Sequence, residues 1–471
     1  MDVVAQVRNF LEPKSVAVIG TSRTPIRAGN LTYDVLPNLI SSGYRGKIYP
    51  IHPSVGEVHG LRAYATVAAV PESIDLAVIN LPRDLIPGAV EECVKKGINA
   101  IIIVAQAFAD AGDDEGNRLQ RQIDDAIRGK KTRIVGPNTL GTANAYTKFS
   151  SAFAETHMEK IPVGFICQTG AFFLGLAGLK LMGKAIDLGN GSDIHFSDGL
   201  EYFEQDADIR VIGLHIEGIK DAARFLKVVH RVSCKKPVVA LKTGRTERAA
   251  QAAQSHTGSL SGEDEVWDAA LRQAGVIRVE EIEELGDTLR AFYILPPMKG
   301  RGVGIISASG GFGVMSVDAC ERFGLEAVKF SPATTVRLQA LYPSWQKAAN
   351  PVDIAPSLMM GKKTPFFEAL MTTAEALLDD PRIDAVLGTL DGSDLSLIDL
   401  YSKVAEKVTT AHPDKPLVFY LYGSPVAAEA KGALEAGIRS MVFSSPYRAV
   451  RALGHLAHYS EFGRACGSSP I

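Results

Sequence analysis

Short, unbroken apolar runs recur along the chain, and small residues followed by a helical pattern come after many of them. Three such units begin with Ser15–Gly20, Val163–Cys167 and Val303–Ser307, so their starts lie 148 and 140 residues apart. Continuous Val/Ile/Leu runs are typical of parallel strands that are covered on both faces, whereas half-exposed strands alternate. The pattern therefore predicts an α/β protein with three successive doubly wound parallel sheets.

Each predicted sheet contains five strands. The predicted strands are Ser15–Gly20, Lys47–Ile51, Leu76–Leu81, Ala100–Val104 and Arg133–Val135 in the first sheet, Val163–Cys167, Ala185–Leu188, Val211–Ile216, Pro237–Lys242 and Val276–Val279 in the second, and Val303–Ser307, Ala327–Phe330, Ala385–Leu390, Leu417–Tyr422 and Ser440–Phe443 in the third. Helices are expected between them, among them Leu85–Lys96, Asp221–Val232, Glu263–Gln273 and Val314–Phe323.

Proline, glycine and charged residues without periodicity indicate two linkers, at Gly136–Pro162 and at Leu295–Gly302. The second is the clearer boundary, because paired prolines end the preceding helix and glycines free the chain before the next strand. We expect domains at residues 1–137, 138–296 and 297–471.

Composition narrows the class of protein. The 471 residues are 46% hydrophobic and 22% charged, which is typical of a globular protein, and the net charge of -3 gives no reason to expect nucleic acid or an anionic membrane as a partner. No apolar run approaches the ~18 residues of a membrane span. Five scattered cysteines without CxxC spacing indicate neither a disulfide framework nor a zinc site, so a cytoplasmic protein is expected.

One candidate reaction centre is the stretch Ser255–Gly262, which has one histidine among small and hydroxyl residues. An exposed loop of ordinary turn residues would have this composition. A mobile nucleophile would have it too, because the imidazole of His256 is close to neutral at physiological pH and can accept and return a phosphoryl group.

A second candidate is the glycine-rich turn Gly20–Asn30 after the first predicted strand. It lacks the GxGxxG spacing of a dinucleotide fold, which disfavours NAD. It does bring backbone amides, the hydroxyls of Thr21 and Ser22, and Arg23 or Arg27 to a strand end, where phosphates bind. A plain βα turn is the alternative, and a nucleotide of the coenzyme A (CoA) type fits better than NAD.

Eight motifs in order resemble those of one family over essentially the whole chain. They are Gly20-Thr-Ser-Arg, Tyr49-Pro-Ile-His-Pro53, Gly136-Pro-Asn-Thr-Leu-Gly141, Leu188-Gly-Asn190, Ile216-Glu217-Gly218, Leu241-Lys-Thr-Gly-Arg245, Ser255-His-Thr-Gly258 and Asn350-Pro-Val-Asp353. The chain thereby resembles the α subunit of NDP-forming acyl-CoA synthetases, that is, ADP-forming acetate–CoA ligases, in the succinyl-CoA synthetase superfamily.

The resemblance implies a Rossmann-like CoA-binding domain followed by two flavodoxin-like domains. It implies that His256 is the phosphohistidine and that Glu217 holds its imidazole. Phosphate would contact the backbone and side chains of Gln168, Thr169, Gly170, Gly258, Ser309, Gly310 and Gly311. CoA would contact Gly20, Thr21, Ser22, Arg23, Pro50, His52 and Pro82. Two helix N-termini could hold a phosphoryl group without a metal ion in this chain.

The chain contains neither a P-loop nor the pattern of an ATP-grasp domain. The resemblance therefore implies a separate ATP-grasp β subunit, in an α2β2 assembly, that binds ADP or ATP and Mg²⁺. The small-molecule partner is a carboxylic acid, and the implied reaction interconverts acyl-CoA, phosphate and ADP with acid, CoA and ATP.

Five positions depart from the family pattern. Cys167 and Thr169 stand where the family has serines, Thr139 stands where it has cysteine, and Phe172-Phe173 is bulkier than expected. Large residues beside a reaction centre change which acid fits.

A CoA-binding regulatory or scaffold protein of the same fold is an alternative that the presence of both His256 and Glu217 disfavours. A Rossmann-type oxidoreductase is a further alternative, disfavoured by the turn at Gly20.

Overall fold

A computed structural model describes the chain except residues 1, 23, 25–26, 29–30, 176–181, 250–262, 356–363, 424–426 and 468–471. The chain divides into two compact units, residues 1–286 and 287–471. The first unit contains two of the three large sheets, and the second unit contains the third. Among the described helices, none is long and apolar enough to cross a membrane.

The first sheet has five parallel strands in the order β4-β1-β7-β8-β9. This part of the chain comprises the strands β1 (Ser15–Ile19), β2 (Arg27–Ala28), β3 (Leu31–Thr32), β4 (Lys47–Ile51), β5 (Glu57–Val58), β6 (Leu61–Arg62), β7 (Leu76–Ile79), β8 (Ala100–Ile103) and β9 (Arg133–Val135) and the helices α1 (Val3–Leu11), α2 (Val35–Ser41), α3 (Ile86–Lys96) and α4 (Asp114–Ile127). The short strands β2–β3 and β5–β6 form two separate antiparallel ribbons.

The second sheet has seven strands in the order β11-β10-β13-β12-β14-β15-β16. It comprises β10 (Thr142–Asn144), β11 (Phe149–Ser150), β12 (Val163–Cys167), β13 (Lys184–Asp187), β14 (Val211–Ile216), β15 (Val238–Lys242) and β16 (Ile277–Val279), with the helices α5 (Phe196–Gln205), α6 (Ala222–Ser233), α7 (Asp264–Gln273) and α8 (Ile282–Ile294). The interpretation of 136–162 as a linker was wrong in part, because β10 and β11 add to the sheet edge as antiparallel strands. Their residues are bonded to β13 and to each other, and their sequences are too short to show a strand pattern.

The third sheet, in residues 287–471, has the order β18-β17-β20-β21-β22, and β19 also pairs with β17. Its elements are β17 (Gly302–Ser307), β18 (Glu326–Ala327), β19 (Val352–Asp353), β20 (Ala385–Asp391), β21 (Leu417–Tyr422) and β22 (Ser440–Phe443), with α9 (Gly310–Arg322), α10 (Pro332–Gln339), α11 (Phe366–Asp379), α12 (Leu395–Ala411), α13 (Ala427–Glu435) and α14 (Pro446–Ala465). In all three sheets the parallel strands follow the order 2-1-3-4-5, so the prediction of three doubly wound sheets is confirmed.

The N-terminal helix α1 packs on the second sheet although it precedes the first sheet in sequence. The Thr142 hydroxyl donates to the Phe10 carbonyl at 2.6 Å, and the Asn144 side-chain amide donates to the Leu11 carbonyl at 3.1 Å. Just beyond the helix, Glu12 pairs at 3.0 Å with Lys184, a lysine that is 2% exposed. These bonds fasten the start of the chain to residues 142–184, so the first two sheets share one compact unit.

Candidate active site

The carboxyl ends of β4, β1 and β7 lie side by side, because these strands are adjacent and parallel. They bring the predicted CoA-site residues Gly20, His52 and Pro82 to one edge of the first sheet. Gly20 has a φ of 90°, and a Cβ atom there would collide with the Asn80 carbonyl oxygen. Only glycine fits this turn, since a side chain would have neither the backbone conformation nor the space.

The Thr21 hydroxyl is buried at this edge and has no hydrogen-bond partner within the described part of the chain. A buried hydroxyl without a partner costs free energy, so an incoming polar group would satisfy it. The neighbouring Ser22 hydroxyl donates to the Thr24 carbonyl at 2.7 Å, and the His52 ring accepts from the Ser54 amide at 3.3 Å. These two side chains already serve local turns.

The two prolines of the predicted CoA set lie on or just after these strands. Pro50 is buried within β4. Pro82 immediately precedes a short 3-10 helix, Arg83–Leu85. Arg23, also predicted to contact CoA, lies outside the described residues. Six of the seven predicted positions can therefore be placed, and they lie on β4 or after the carboxyl ends of β1, β4 and β7.

Glu217 follows β14 directly and is 9% exposed. Its backbone N–H donates to the side-chain oxygen of Gln168 at 2.8 Å, and the Gly218 N–H donates to the same oxygen at 3.1 Å. Gln168 follows β12, the neighbouring strand. The structure thus joins the predicted carboxylate and one predicted phosphate-site residue at the carboxyl edge of the second sheet.

Lys242, at the end of β15, belongs to the motif Leu241-Lys-Thr-Gly-Arg245, but the sequence did not predict a role for it in this site. Its side chain is 2% exposed, and its ammonium donates to the Glu217 carbonyl at 3.0 Å and to the Thr243 carbonyl. The ammonium also lies 5.4 Å from the centre of the Trp267 ring. Burial lowers the pKa of Lys242 to about 8. Lys242 ties the strand end before Glu217 to the start of the segment that leads to His256.

Thr169 precedes a five-residue 3-10 helix, Gly170–Leu174, and residues 176–181 lie outside the described part. The aromatic pair that was expected beside the reaction centre is buried instead. Phe172 packs between Phe165, at 5.2 Å between ring centres, and His215, at 4.9 Å, while Phe173 is fully buried. Both rings are buried in the core. Their positions therefore do not support the predicted steric effect on the acyl site.

Two of the departures from the family pattern meet at one residue, Asp187, at the end of β13. The Thr139 hydroxyl donates to the Asp187 carbonyl at 2.5 Å, and the Cys167 sulfur lies 3.9 Å from one carboxylate oxygen. The carboxylate also accepts the Leu140 amide at 2.7 Å and the Gly189 amide at 3.2 Å. Burial, and secondarily the charge of Glu217, raise its pKa to about 6. The signal for Asp187 in the sequence was an acidic residue at the end of an apolar run.

A cavity of about 590 Å³ joins the two sheets of the first unit. We call it the inter-sheet cavity. Its walls include residues after β7 and β8 of the first sheet and residues of the second sheet around the 3-10 helix; they include Asn80, Gln106, Thr139, Gly170, Leu174 and Asp187. A ligand bound at the edge of the first sheet could reach Gly170 through this space.

In residues 287–471, the predicted phosphate-site residues Ser309, Gly310 and Gly311 form the start of α9. The Ser309 side chain makes no capping hydrogen bond with described residues, which leaves the first amides of a 13-residue helix available. Asp353, at the end of β19, lies close by: its carboxylate oxygen is 3.5 Å from where a Cβ of Gly310 would be. His256 and Gly258 lie outside the described residues.

Three family models match the chain in sequence. They are a CoA binding domain at residues 14–145, a succinyl-CoA ligase like flavodoxin domain at residues 160–292 and a ligase-CoA domain at residues 303–467. Each match spans most of one of the three large sheets, and the edge strands β10 and β11 of the second sheet lie outside the flavodoxin-like match. The fold and the matched models together describe the three-domain plan of a CoA ligase.

The named relatives identify the family of CoA ligases to which the chain belongs. The chain is 36% identical to ADP-forming acetate–CoA ligase I subunit alpha of Pyrococcus furiosus, over 96% of this chain and 97% of the relative. It is 37% identical to the ADP-forming acetate–CoA ligase of Methanocaldococcus jannaschii, over 95% of this chain, but it spans only 62% of that longer relative. The chain belongs to the ADP-forming acetate–CoA ligase family.

A solved structure agrees with this assignment. The dinucleotide-forming acetyl-coenzyme A synthetase 1 of Candidatus Korarchaeum cryptofilum, solved with phosphate and ADP, superimposes with a TM-score of 0.87 at 28% identity. The match covers 98% of each chain.

Proposed function

We propose that the chain is the α-type subunit of an ADP-forming acyl-CoA synthetase, which interconverts acyl-CoA, phosphate and ADP with acid, CoA and ATP. The observation that carries the proposal is the inter-sheet cavity. It connects the edge that holds Gly20 and Thr21 with Gly170 and Asp187, and Gln168, Glu217 and Lys242 lie at the same edge of the second sheet. The proposed CoA-binding residues and the proposed phosphoryl-transfer residues thus belong to one compact unit. This arrangement suits a reaction that exchanges the thioester of acyl-CoA for an acyl phosphate.

The first chemical step exchanges sulfur for phosphate. CoA binds with its phosphates near Gly20, Thr21 and Arg23 and with its thioester in the inter-sheet cavity. A phosphate oxygen forms a bond to the acyl carbon, the carbon–sulfur bond breaks, and the CoA thiolate takes up the proton that the phosphate releases. The products are acyl phosphate and CoA.

The second step moves the phosphoryl group to the protein. A ring nitrogen of His256 forms a bond to phosphorus, and the carboxylate of the acid leaves with the electrons of the broken oxygen–phosphorus bond. Glu217 accepts a hydrogen bond from the other ring nitrogen, which fixes the tautomer and stabilises the positive charge of the forming phosphohistidine. Gln168 and Lys242 hold the backbone at Glu217 and so position this carboxylate.

The phosphate site is assigned within the same proposal to Gln168, Thr169, Gly170, Gly258 and the start of α9 at Ser309, Gly310 and Gly311. Support comes from the uncapped amides of α9 and from the phosphate bound in the similar Korarchaeum structure. CoA is assigned to Gly20, Thr21, Ser22, Arg23, Pro50, His52 and Pro82, supported by the matched CoA binding domain and by the Thr21 hydroxyl, which has no hydrogen-bond partner among the described residues.

The α-subunit relatives imply a partner chain. We propose that this partner is an ATP-grasp β subunit in an α2β2 assembly and that it holds ADP or ATP with Mg²⁺. A cytoplasmic location is part of the same proposal and rests on the composition of the sequence.

The test supplies the purified chain with acyl-CoA and radiolabelled phosphate. Label should appear on His256, located by mass spectrometry of the phosphopeptide, and His256→Asn should abolish it. The same chain with labelled ATP and no partner should remain unlabelled. Label from ATP on the isolated chain would contradict the two-subunit proposal, and label at another residue would contradict the mechanism.

A further inference from the structure

Arg245 and Asp264 flank the segment that carries His256, and their side chains pair with each other. The guanidinium Nε of Arg245 donates to the carboxylate Oδ2 of Asp264 at 3.2 Å. Residues 250–262, which include His256, lie outside the described residues. The pair therefore joins the two ends of residues 246–263, the segment that contains the proposed phosphohistidine.

The chain is fixed up to Thr243 and can turn immediately after it. The Thr243 N–H donates to the Ile216 carbonyl at 3.0 Å, and the Thr243 hydroxyl lies 3.3 Å from Nε2 of His215. Gly244 follows with a φ of 73°, and glycine has more accessible backbone conformations than any other residue. The backbone at Gly244 therefore restricts the direction of the chain only weakly, and the side-chain contacts of Arg245 set it.

Arg278 anchors Asp264 to the second sheet. One guanidinium nitrogen of Arg278 donates to Oδ1 of Asp264, and another donates to the Asp264 carbonyl at 3.2 Å. The Arg278 side chain is 11% exposed and lies on β16, which pairs with β15. Glu280, directly after β16, provides a second carboxylate, 3.4 Å from Arg245. We call Arg245, Asp264, Arg278 and Glu280 the base cluster, because they connect the base of the segment with the sheet.

The exposure of these groups favours a role in orientation over a role in stability. The Arg245 side chain is 42% exposed, and that of Glu280 is 73% exposed. Exposed ion pairs add little to the free energy of unfolding. In contrast, a displacement of about 1 Å between reacting groups can lower a rate by about 100-fold. Loss of the Arg245 pairs should therefore affect a step that needs His256 far more than it affects folding.

We propose that Arg245 is a positioning residue for phosphoryl transfer to His256. Its ion pairs with Asp264 and Glu280 fix the direction in which residues 246–263 leave the sheet. This gives a role to the arginine of the motif Leu241-Lys-Thr-Gly-Arg245. The inference rests on the proposed function of the chain, and Arg245 acts through the segment and not by contact with the substrate.

Arsenate separates the two steps of the proposed reaction. An arsenate oxygen forms a bond to the acyl carbon of acyl-CoA, the carbon–sulfur bond breaks, and the CoA thiolate takes up the proton that arsenate releases. Water then hydrolyses the acyl arsenate to the acid and arsenate, so CoA release continues without His256. An arginine that bound phosphate directly would also bind arsenate, and its loss would raise the KM for arsenate. A positioning residue for His256 leaves this reaction unchanged.

The experiment compares two rates in the full chain with acetyl-CoA. One is the labelling of His256 by radiolabelled phosphate in a single turnover, and the other is the release of the CoA thiol with arsenate. Arg245→Gln should lower the labelling rate at least about tenfold, leave arsenolysis within about twofold and change the Tm by no more than about 3 °C. Arg245→Lys keeps one charged donor group and should label at an intermediate rate. His256→Asn should abolish labelling and retain arsenolysis.

Arg272→Gln is the matched control. Arg272 lines the same cavity of about 740 Å³ as the base cluster, but its ion pair with Asp268, at 2.5 Å, lies within α7. This variant should leave both rates unchanged, and a loss of labelling equal to that of Arg245→Gln would overturn the proposal.

Two further outcomes would also overturn it. One is an unchanged labelling rate in Arg245→Gln, and the other is a parallel loss of labelling, arsenolysis and Tm in that variant. If Arg245→Gln does not fold, the same comparison is made with Arg245→Lys. Failure of phosphate to label the unmodified protein would instead contradict the proposed function.

Discussion

The side-chain oxygen of Gln168 accepts the backbone N–H of Glu217 at 2.8 Å, across the neighbouring strands β12 and β14. The same oxygen accepts the Gly218 N–H, so a residue of the predicted phosphate site also sets the backbone from which the Glu217 side chain projects. In the proposed mechanism Gln168 contacts phosphate and Glu217 orients His256, so the contact between these two residues links phosphate binding with the orientation of His256.

Two substitutions separate the roles of Gln168. Gln168→Met removes the acceptor and leaves two buried N–H groups without a partner, so the free energy of unfolding should fall by about 2 kcal/mol or more in urea denaturation. Gln168→Glu keeps an acceptor for both groups but replaces the amide donor with a negative charge. It should raise the KM for phosphate at least about tenfold by repelling the anion, and the burial of its charge beside Glu217 should also lower the free energy of unfolding. Equal effects of the two variants on both measurements would contradict this division.

Glu217→Gln should impair phosphorylation of His256 far more than folding. The amide preserves the shape but removes the charge that supports the forming imidazolium, a charge-assisted bond of about 1.5–3 kcal/mol. We expect the labelling rate to fall at least about tenfold and the Tm to change by no more than about 3 °C. Glu201→Gln, which removes a carboxylate on α5 beside Arg224, serves as the control. A parallel loss of Tm and labelling would indicate a structural carboxylate.

Lys242 should make the stability of the first unit depend on pH in the alkaline range. Its pKa in the folded protein is about 8, against an ordinary value of 10.5, so between these values the unfolded chain binds a proton that the folded chain does not. Stability must therefore rise with pH across this window, by a total of about 3 kcal/mol from this group. Urea denaturation from pH 7 to 10.5 should show a smaller rise for Lys242→Met than for the unmodified protein, and identical slopes would contradict the assignment.

Substitution of Phe172 should affect mainly stability and substitution of Leu174 mainly acyl preference, although the two residues are only two positions apart. Phe172 is 5% exposed and packs on Phe165 and His215, whereas Leu174 is 45% exposed and lines the inter-sheet cavity. Phe172→Ala should lower the free energy of unfolding by about 3–5 kcal/mol. Leu174→Ala should change it by less than about 1 kcal/mol but alter the relative kcat/KM for short and long acyl-CoAs. A change in acyl preference caused by Phe172→Ala alone would restore the view that the aromatic pair shapes the acyl site.

Thr21→Val tests the proposed CoA site at the carboxyl edge of the first sheet. Valine keeps the shape and removes a buried hydroxyl that has no partner in the described part of the chain, so the Tm of the free protein should stay constant or rise slightly. Calorimetry should show weaker CoA binding, by about tenfold, because the ligand loses the hydrogen bond that this hydroxyl would make. Ser22→Ala is the comparison, since its hydroxyl already donates to Thr24. Unchanged CoA affinity in Thr21→Val would remove this hydroxyl from the site.

The strands could be predicted because their apolar runs are continuous and each sheet is covered on both faces. The predicted ranges of Lys47–Ile51 and Val211–Ile216 coincide with β4 and β14. The antiparallel β10 and β11 could not be predicted, because Thr142–Asn144 and Phe149–Ser150 become strands only through hydrogen bonds to β13 and to each other.

The candidate site shows the same limit. Glu217 was predicted as a site residue from a motif, whereas Lys242 was part of a motif without a predicted role and Asp187 only ends an apolar strand run. Their importance comes from neighbours distant in sequence: Lys242 contacts the Glu217 backbone, and Asp187 contacts Leu140. Tertiary contacts between segments far apart along the chain cannot be read from local periodicity.

The position of α1 determines where the chain could be divided. Val4, Val7, Phe10 and Leu11 of this helix are buried, and Glu12 pairs with Lys184 of the second sheet. A fragment that ends at residue 137 would keep α1 but lose the surface that the helix covers, and would expose an apolar stripe that promotes aggregation. Gene fusion, fission or circular permutation in this family should therefore conserve the first two sheets together as one inherited module, with the exchangeable junction after α8 (Ile282–Ile294) and not within that helix.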